Sequence, residues 1–103
     1  MNLTVSYGPF RVNMKLKQLS GAQIRAARAL LRWSAEDLAR EVALGLSTIK
    51  RAESVDDETS MTAANDLAVR RVFEFAGIEF IDENGGGLGL RFKKRQKPKG
   101  PKP

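Results

Sequence analysis

In the stretch at residues 43–53, ALGLSTIKRAE, four polar side chains (Ser47, Thr48, Lys50 and Arg51) interleave with the apolar Ile49 and Ala52. On a short helix with Ile49 and Ala52 turned inward, the polar four lie outside and offer hydroxyl, ammonium and guanidinium donors. That is a chemistry of recognition. A guanidinium fork can engage guanine O6 and N7 together, worth about 1–3 kcal/mol of discrimination against the wrong base, and hydroxyls can donate to a base or a phosphate. Arg51 is the best base reader in the stretch. The sequence offers little for other chemistry: it contains no His and no Cys, so the commonest zinc ligand, the usual general base and any thiolate are missing. General acid-base work would fall to carboxylates with neither beside them. No catalytic residue, metal or cofactor is expected, and the chain reads as a non-enzyme.

The elements that must position these donors are legible on both sides. Ser20 with Gln23 fits a capping box, and Ile24, Ala27, Leu30 and Leu31 follow at helical spacing toward Trp33. On another face of that helix Arg25, Arg28 and Arg32 fall within roughly 60° of one another and form a basic stripe. Ser34 with Asp37 opens a second helix, with Leu38, Ala39 and Val42 apolar, after a connection of one or two residues. The third helix, from about residue 45 or 46 to 52 or 53, follows after about three residues. Two short helices so joined match the helix-turn-helix unit, whose second helix can lie in the major groove.

Residues 54–61, SVDDETSM, read as an acidic loop. Thr62 or Ser60 then caps a longer helix in which Ala64, Leu67, Ala68, Val72, Phe75 and Ala76 recur at helical spacing, and Gly77 stands where a C-terminal glycine belongs. Beyond it IEFI and LGLRF alternate about DENGGG, which favours a β-hairpin through Asn-Gly. The glycine run lacks the surroundings of a phosphate-binding loop. Residues 1–14 fit a marginal hairpin or a disordered extension equally, and Met14 is a candidate start. After Phe92, KKRQKPKGPKP has no apolar residue to join a core and is expected to be disordered.

At 103 residues one small domain is expected, and no apolar run of about 18 residues exists to span a bilayer. Without a visible secretory signal, the reading is cytoplasmic. The net charge of +6 is segregated. Residues 88–103 carry seven basic side chains and no acid, residues 15–51 eight basic against three acidic, and residues 52–83 two basic against nine acidic. Such blocks suit a protein that turns one face to a polyanion, because neutralising phosphates releases condensed counterions.

The run GAQIRAARALLRWSAEDLA, then TIKRAE, MTAAN and GIEFIDENGGG, resembles the XRE (phage repressor and Cro-like) helix-turn-helix family, in its small single-domain bacterial form. The resemblance covers about residues 15–92. It implies a mainly α, compact four-helix lambda-repressor-like domain at residues 15–92, here with a C-terminal β-hairpin, between the 1–14 extension and a basic tail at 93–103. It further implies a homodimer on double-stranded DNA that usually represses transcription. By this resemblance Ser47, Thr48, Lys50 and Arg51 face the groove and Arg28 pairs structurally with Glu53, while Arg25, Arg32 and Ser34 are phosphate candidates; the basic tail, beyond the resemblance, adds Lys93, Lys94 and Arg95 as residues that track the DNA backbone. The chain also departs from the pattern. Ala35 stands where Gln is usual, Ala43 where Gly is usual, Gly45 where Ser is usual, and Leu46 where a long polar residue is usual. Leu46 retains a route to base reading through a thymine methyl, and Ala43 carries a cost if the turn needs a positive φ. Together with the acidic block at 53–58, these departures motivate a second expectation: a helix-turn-helix fold that holds another protein, as an antiactivator or antitoxin does.

Overall fold

The computed structural model describes residues 18–93 as four helices, α1 (Gly21–Leu31), α2 (Ala35–Val42), α3 (Leu46–Glu53) and α4 (Ala63–Phe75), followed by strands β1 (Ile78–Ile81) and β2 (Gly89–Phe92). The expectations for residues 1–14 and for the tail, Lys94 and Arg95 included, lie outside the described residues.

Local chemistry starts each of the first two helices. Ser20 Oγ accepts from Gln23 N at 3.0 Å while Gln23 Oε1 accepts from Ser20 N at 3.0 Å. Ser34 and Asp37 repeat the box at 3.0 and 2.8 Å, and the donation from Ser34 N, followed by its hydroxyl, holds the Asp37 carboxyl below the usual carboxylate range. Each box satisfies two amides that the helix itself leaves without partners. α3 begins at Gly45, which has no side chain to cap it.

α1 ends earlier than its periodicity suggests. Arg32 adopts the left-handed conformation (φ 59°), with its N–H and that of Trp33 closing on the carbonyls of Ala29 and Arg28. The connection to α2 is therefore three residues, 32–34, and Arg32 leaves the helical stripe it was expected to share with Arg25 and Arg28. α2 ends the same way at Ala43 (φ 58°). An L-residue in this region carries about 1–2 kcal/mol of strain that glycine escapes. Ala43→Gly should therefore raise stability by up to about 1 kcal/mol, the gain being trimmed by the extra freedom glycine gives the unfolded chain. Urea unfolding checks it, and a variant no more stable than the parent would show that the turn is unstrained at this position.

The core is built from Leu19, Ile24, Ala27, Leu38, Ala39, Ile49, Ala52, Val69, Phe73, Ile78 and Phe80. Phe73 sits at its centre, stacked on Trp33 at 5.7 Å between ring centroids and edge-on to Phe80 at 5.9 Å. α4 corrects the expected register. Its inward face runs through Asp66, Val69, Arg70 and Phe73, whereas Ala64 is exposed and Phe75 is 97% exposed. The physical reason is that two charged side chains on this face find buried partners. Asp66 Oδ1 accepts from Leu19 N at 2.9 Å, while the Arg70 guanidinium lies 5.3 Å over the Phe80 ring and 3.7 Å from Asp82. An apolar count along the helix passes over such positions.

Burial pushes the Asp66 carboxyl above its usual range, against the opposing pull of the Leu19 amide and of Arg70. The folded chain therefore takes up a proton at Asp66 before the unfolded chain does, so stability linked to this group rises as pH falls toward the carboxylate range and is lost as pH rises. Asp66→Asn keeps an acceptor for Leu19 and removes the titration. The stability difference between parent and variant should move in the parent's favour from about pH 7 to about pH 4. A difference independent of pH in urea titrations would refute this.

β1 and β2 pair antiparallel, with Ile78 opposite Phe92 and Ile81 opposite Gly89. The loop between them, residues 82–88, is one residue longer than the DENGGG stretch the sequence sets between the strands, because Leu88 stays outside β2. Gly85 and Gly87 take positive φ there (98° and 91°), and the Glu83 carboxylate accepts from both of their amides at 3.1 and 3.2 Å. The loop's own acid thus occupies amides that a bound phosphate would need. Among the described residues no helix is long and apolar enough to cross a membrane.

The loop after α3 is fastened to the start of α1. Gly21 N donates to Asp57 O at 2.9 Å and Thr59 N to Leu19 O at 3.1 Å. A Cβ built on Gly21 would stand 1.9 Å from Val55 O and 2.7 Å from Ala52 O. The backbones of α1 and of the α3 end therefore meet at a distance that no side chain fits.

Candidate nucleic-acid interface

α3 presents a consistent outer face. At about 100° per residue, Ser47, Lys50 and Arg51 fall within a ~100° arc opposite the buried Ile49 and Ala52. All three are exposed. Thr48 is half-buried on one flank. Leu46, expected to join the reading surface, is half-buried and packs against the core, so at most part of it faces outward.

The cations sort into two groups. Among the described residues Arg25, Arg28, Arg40, Arg70 and Arg91 each lie against a carboxylate. Arg32, Lys50, Arg51, Arg71 and Lys93 lie in no such pair, and of these Lys50 and Arg51 share one helix face.

Arg28 forms a bidentate pair with Glu53, Nε to Oε2 at 2.7 Å and Nη2 to Oε1 at 2.8 Å, while Nη1 donates to Trp33 O at 2.9 Å. One guanidinium thus braces α1, the end of α3 and the α1–α2 connection. The hydrogen bond to Glu53 raises its pKa further above an already high value. Arg25, expected at DNA phosphates, lies along the surface in an exposed pairing of the chain's own. Its guanidinium donates to the Glu53 and Val55 carbonyls and to Asp56 Oδ1, because the C-terminal end of α3 offers unpaired carbonyls and a carboxylate within reach. The two arginines thereby meet two acids of the 53–58 block, leaving Asp57 and Glu58 as its exposed, unmatched charges.

Of the other expected phosphate contacts, Arg32 and Ser34 stand exposed two residues apart at the start of α2, and Lys93 is exposed at the end of β2. The structure adds residues the sequence did not single out. A cavity of about 170 Å³ beside Thr48 and Arg51 is lined further by Ser60, Met61, Thr62 and Asn65. Thr62 is the cap of α4, its Oγ1 accepting from Asn65 N at 3.1 Å. In sequence these polar residues signal a helix start and nothing more, since their nearness to Arg51 depends on how α3 and α4 pack.

No protein-family model matches the chain, and no curated protein matches it.

Proposed function

We propose that this protein is a sequence-specific DNA-binding transcriptional regulator, a repressor of the XRE-like helix-turn-helix kind. In this reading α2 and α3 form the helix-turn-helix, and α3 enters the major groove. The observation that carries the reading is the outer face of α3. Ser47, Lys50 and Arg51 are exposed there on the second of two short helices, and neither cation is engaged with an acid among the described residues. Arg51 reads a guanine edge by its fork, Lys50 supplies a mobile positive charge, and Ser47 and Thr48 donate hydroxyl hydrogens to bases or phosphates. Arg32, Ser34 and the N-terminal amides of α2 hold the backbone, helped by Lys93 and the lysines beyond it. The protein acts as a homodimer on a paired site, in the bacterial cytoplasm.

The test is selection from random duplex DNA by the purified chain at about 0.15 M salt, where purely electrostatic binding is weakened. A paired half-site motif is expected. Arg51→Ala should relax the preference at one base pair of each half-site by about 2 kcal/mol, roughly 30-fold. An unaltered motif in that variant would remove Arg51 from the reading surface. If the folded parent enriches no motif, the reading fails, and the fold is better explained as a scaffold for holding another protein.

A further inference from the structure

Phe75 is 97% exposed on the last turn of α4, and it extends an apolar patch on the surface rather than standing alone. Beside it lies a groove of about 560 Å³ walled by Trp33, Val72 and Ala76, with Glu41 on α2 and Arg71 on α4 at its rim. Projection and recess are thus neighbours on one patch, and no residue of that patch belongs to α3.

The geometry points to this groove as the site where a second copy of the chain docks, each copy's Phe75 entering the other's groove about a twofold axis. In an isologous contact one patch must complement itself, so that whatever residue i meets, its partner meets in return. This patch has what that requires. Phe75 supplies the apolar projection, Trp33 and Val72 supply the recess, and the rim carries one charge of each sign. A twofold axis running along the groove between Glu41 and Arg71 sets Glu41 of each copy against Arg71 of the other, making two ion pairs from side chains that bind no opposite charge among the described residues. A foreign partner would have to be built to fit, whereas a copy already carries the match. The patch is also neutral overall in a chain of net charge +6, so two cationic copies approach there without local repulsion. Two phenylalanine side chains cover about 300–500 Å², a minor share of the ~1,200–2,000 Å² of a stable interface. The contact is therefore that of a weak dimer.

Sedimentation equilibrium of the full chain without DNA tests the contact directly. The parent should dimerise with rising concentration. Phe75→Asp should weaken the dimer at least about tenfold while leaving the melting temperature unchanged, since so exposed a ring contributes little to the fold. Glu41→Arg and Arg71→Glu should each be monomeric, because each variant sets like charges across the axis. Mixed in equal amounts, they should pair with each other, the introduced arginine meeting the introduced glutamate and native Arg71 meeting native Glu41. A parent monomeric at about 0.5 mM overturns the proposal, as does a dimer indifferent to Phe75→Asp or a mixture that fails to pair.

The consequence for DNA rests on the regulator reading and is measured separately. Phe75→Asp should bind one half-site as the parent does and lose cooperative binding to two. Absence of DNA binding by the parent would sink the regulator reading and leave the sedimentation result standing.

Discussion

Gly21→Ala should cost about 3 kcal/mol or more, a large share of the ~5–15 kcal/mol that holds a small domain folded. The expected loss is large because the obstructing atoms are backbone: Val55 O at 1.9 Å and Ala52 O at 2.7 Å from the added Cβ. A side chain could rotate away, but these carbonyls cannot retreat cheaply. The loop that carries Val55 is tied down by the hydrogen bond from Gly21 to Asp57, by that from Thr59 to Leu19, and by the guanidinium of Arg25. Opening the gap by one methyl group breaks several of these ties together. The neighbouring Ala22 is exposed, and Ala22→Gly, which alters helix propensity alone, should cost no more than about 1 kcal/mol. Urea unfolding compares the two. If Gly21→Ala lies within 1 kcal/mol of the parent, α1 and the end of α3 do not approach as closely as described.

Arg28→Ala should cost about 3 kcal/mol and lower the melting temperature by more than about 10 °C. Its partner Glu53 has a side chain 10% exposed, and the truncation leaves that carboxylate mostly buried with no counter-charge, while Trp33 O also loses a donor. Most of the penalty is the stranded acid, and a double substitution reveals this. Arg28→Met together with Glu53→Met removes both charges and should be less destabilising than Arg28→Ala, whereas simple loss of attraction would make it equally damaging. Arg28→Lys should recover part of the loss, because one ammonium cannot reproduce a two-pronged contact and reach Trp33 O as well. Thermal unfolding of the three variants decides the matter, and a double variant no better than the single truncation would overturn this account.

What could be read in the sequence was local. The capping boxes of Ser20 and Ser34 and the alternation of IEFI signal their elements within a few residues, and the structure has helices and strands where those signals fall. The register of α4 escaped because that helix carries apolar residues on several faces. The choice among faces is made by Asp66 meeting Leu19 N and Arg70 meeting Phe80, contacts 47 and 10 residues apart in the chain. The diversion of Arg25 escaped for a similar reason. Spacing along a helix shows which arginines share a side, but cannot show that the bare carbonyls of a helix 28 residues away will be waiting there. The hairpin was legible from the alternation about DENGGG, whereas the role of Glu83 within the loop needs the loop's closed shape. For α4 and for Arg25 the missed information is held by partners distant in the chain, and in the hairpin loop by the closed backbone shape.

The fastening of α1 bears on the order in which the chain is made. α1 is the first described element to leave the ribosome, yet its partners come much later: Asp57 for Gly21 N, Asp66 for the preceding Leu19, and Gly89, whose carbonyl accepts from Gln23 Nε2 at 3.1 Å across 66 residues. At about 5–20 residues per second of synthesis, Ile24 and Ala27 wait several seconds for the strand that completes their surroundings. A nascent chain stalled before β2 would present that apolar stripe to whatever chaperone stands at the exit, and the amphipathic α1 would behave there as an unfinished protein's exposed flank.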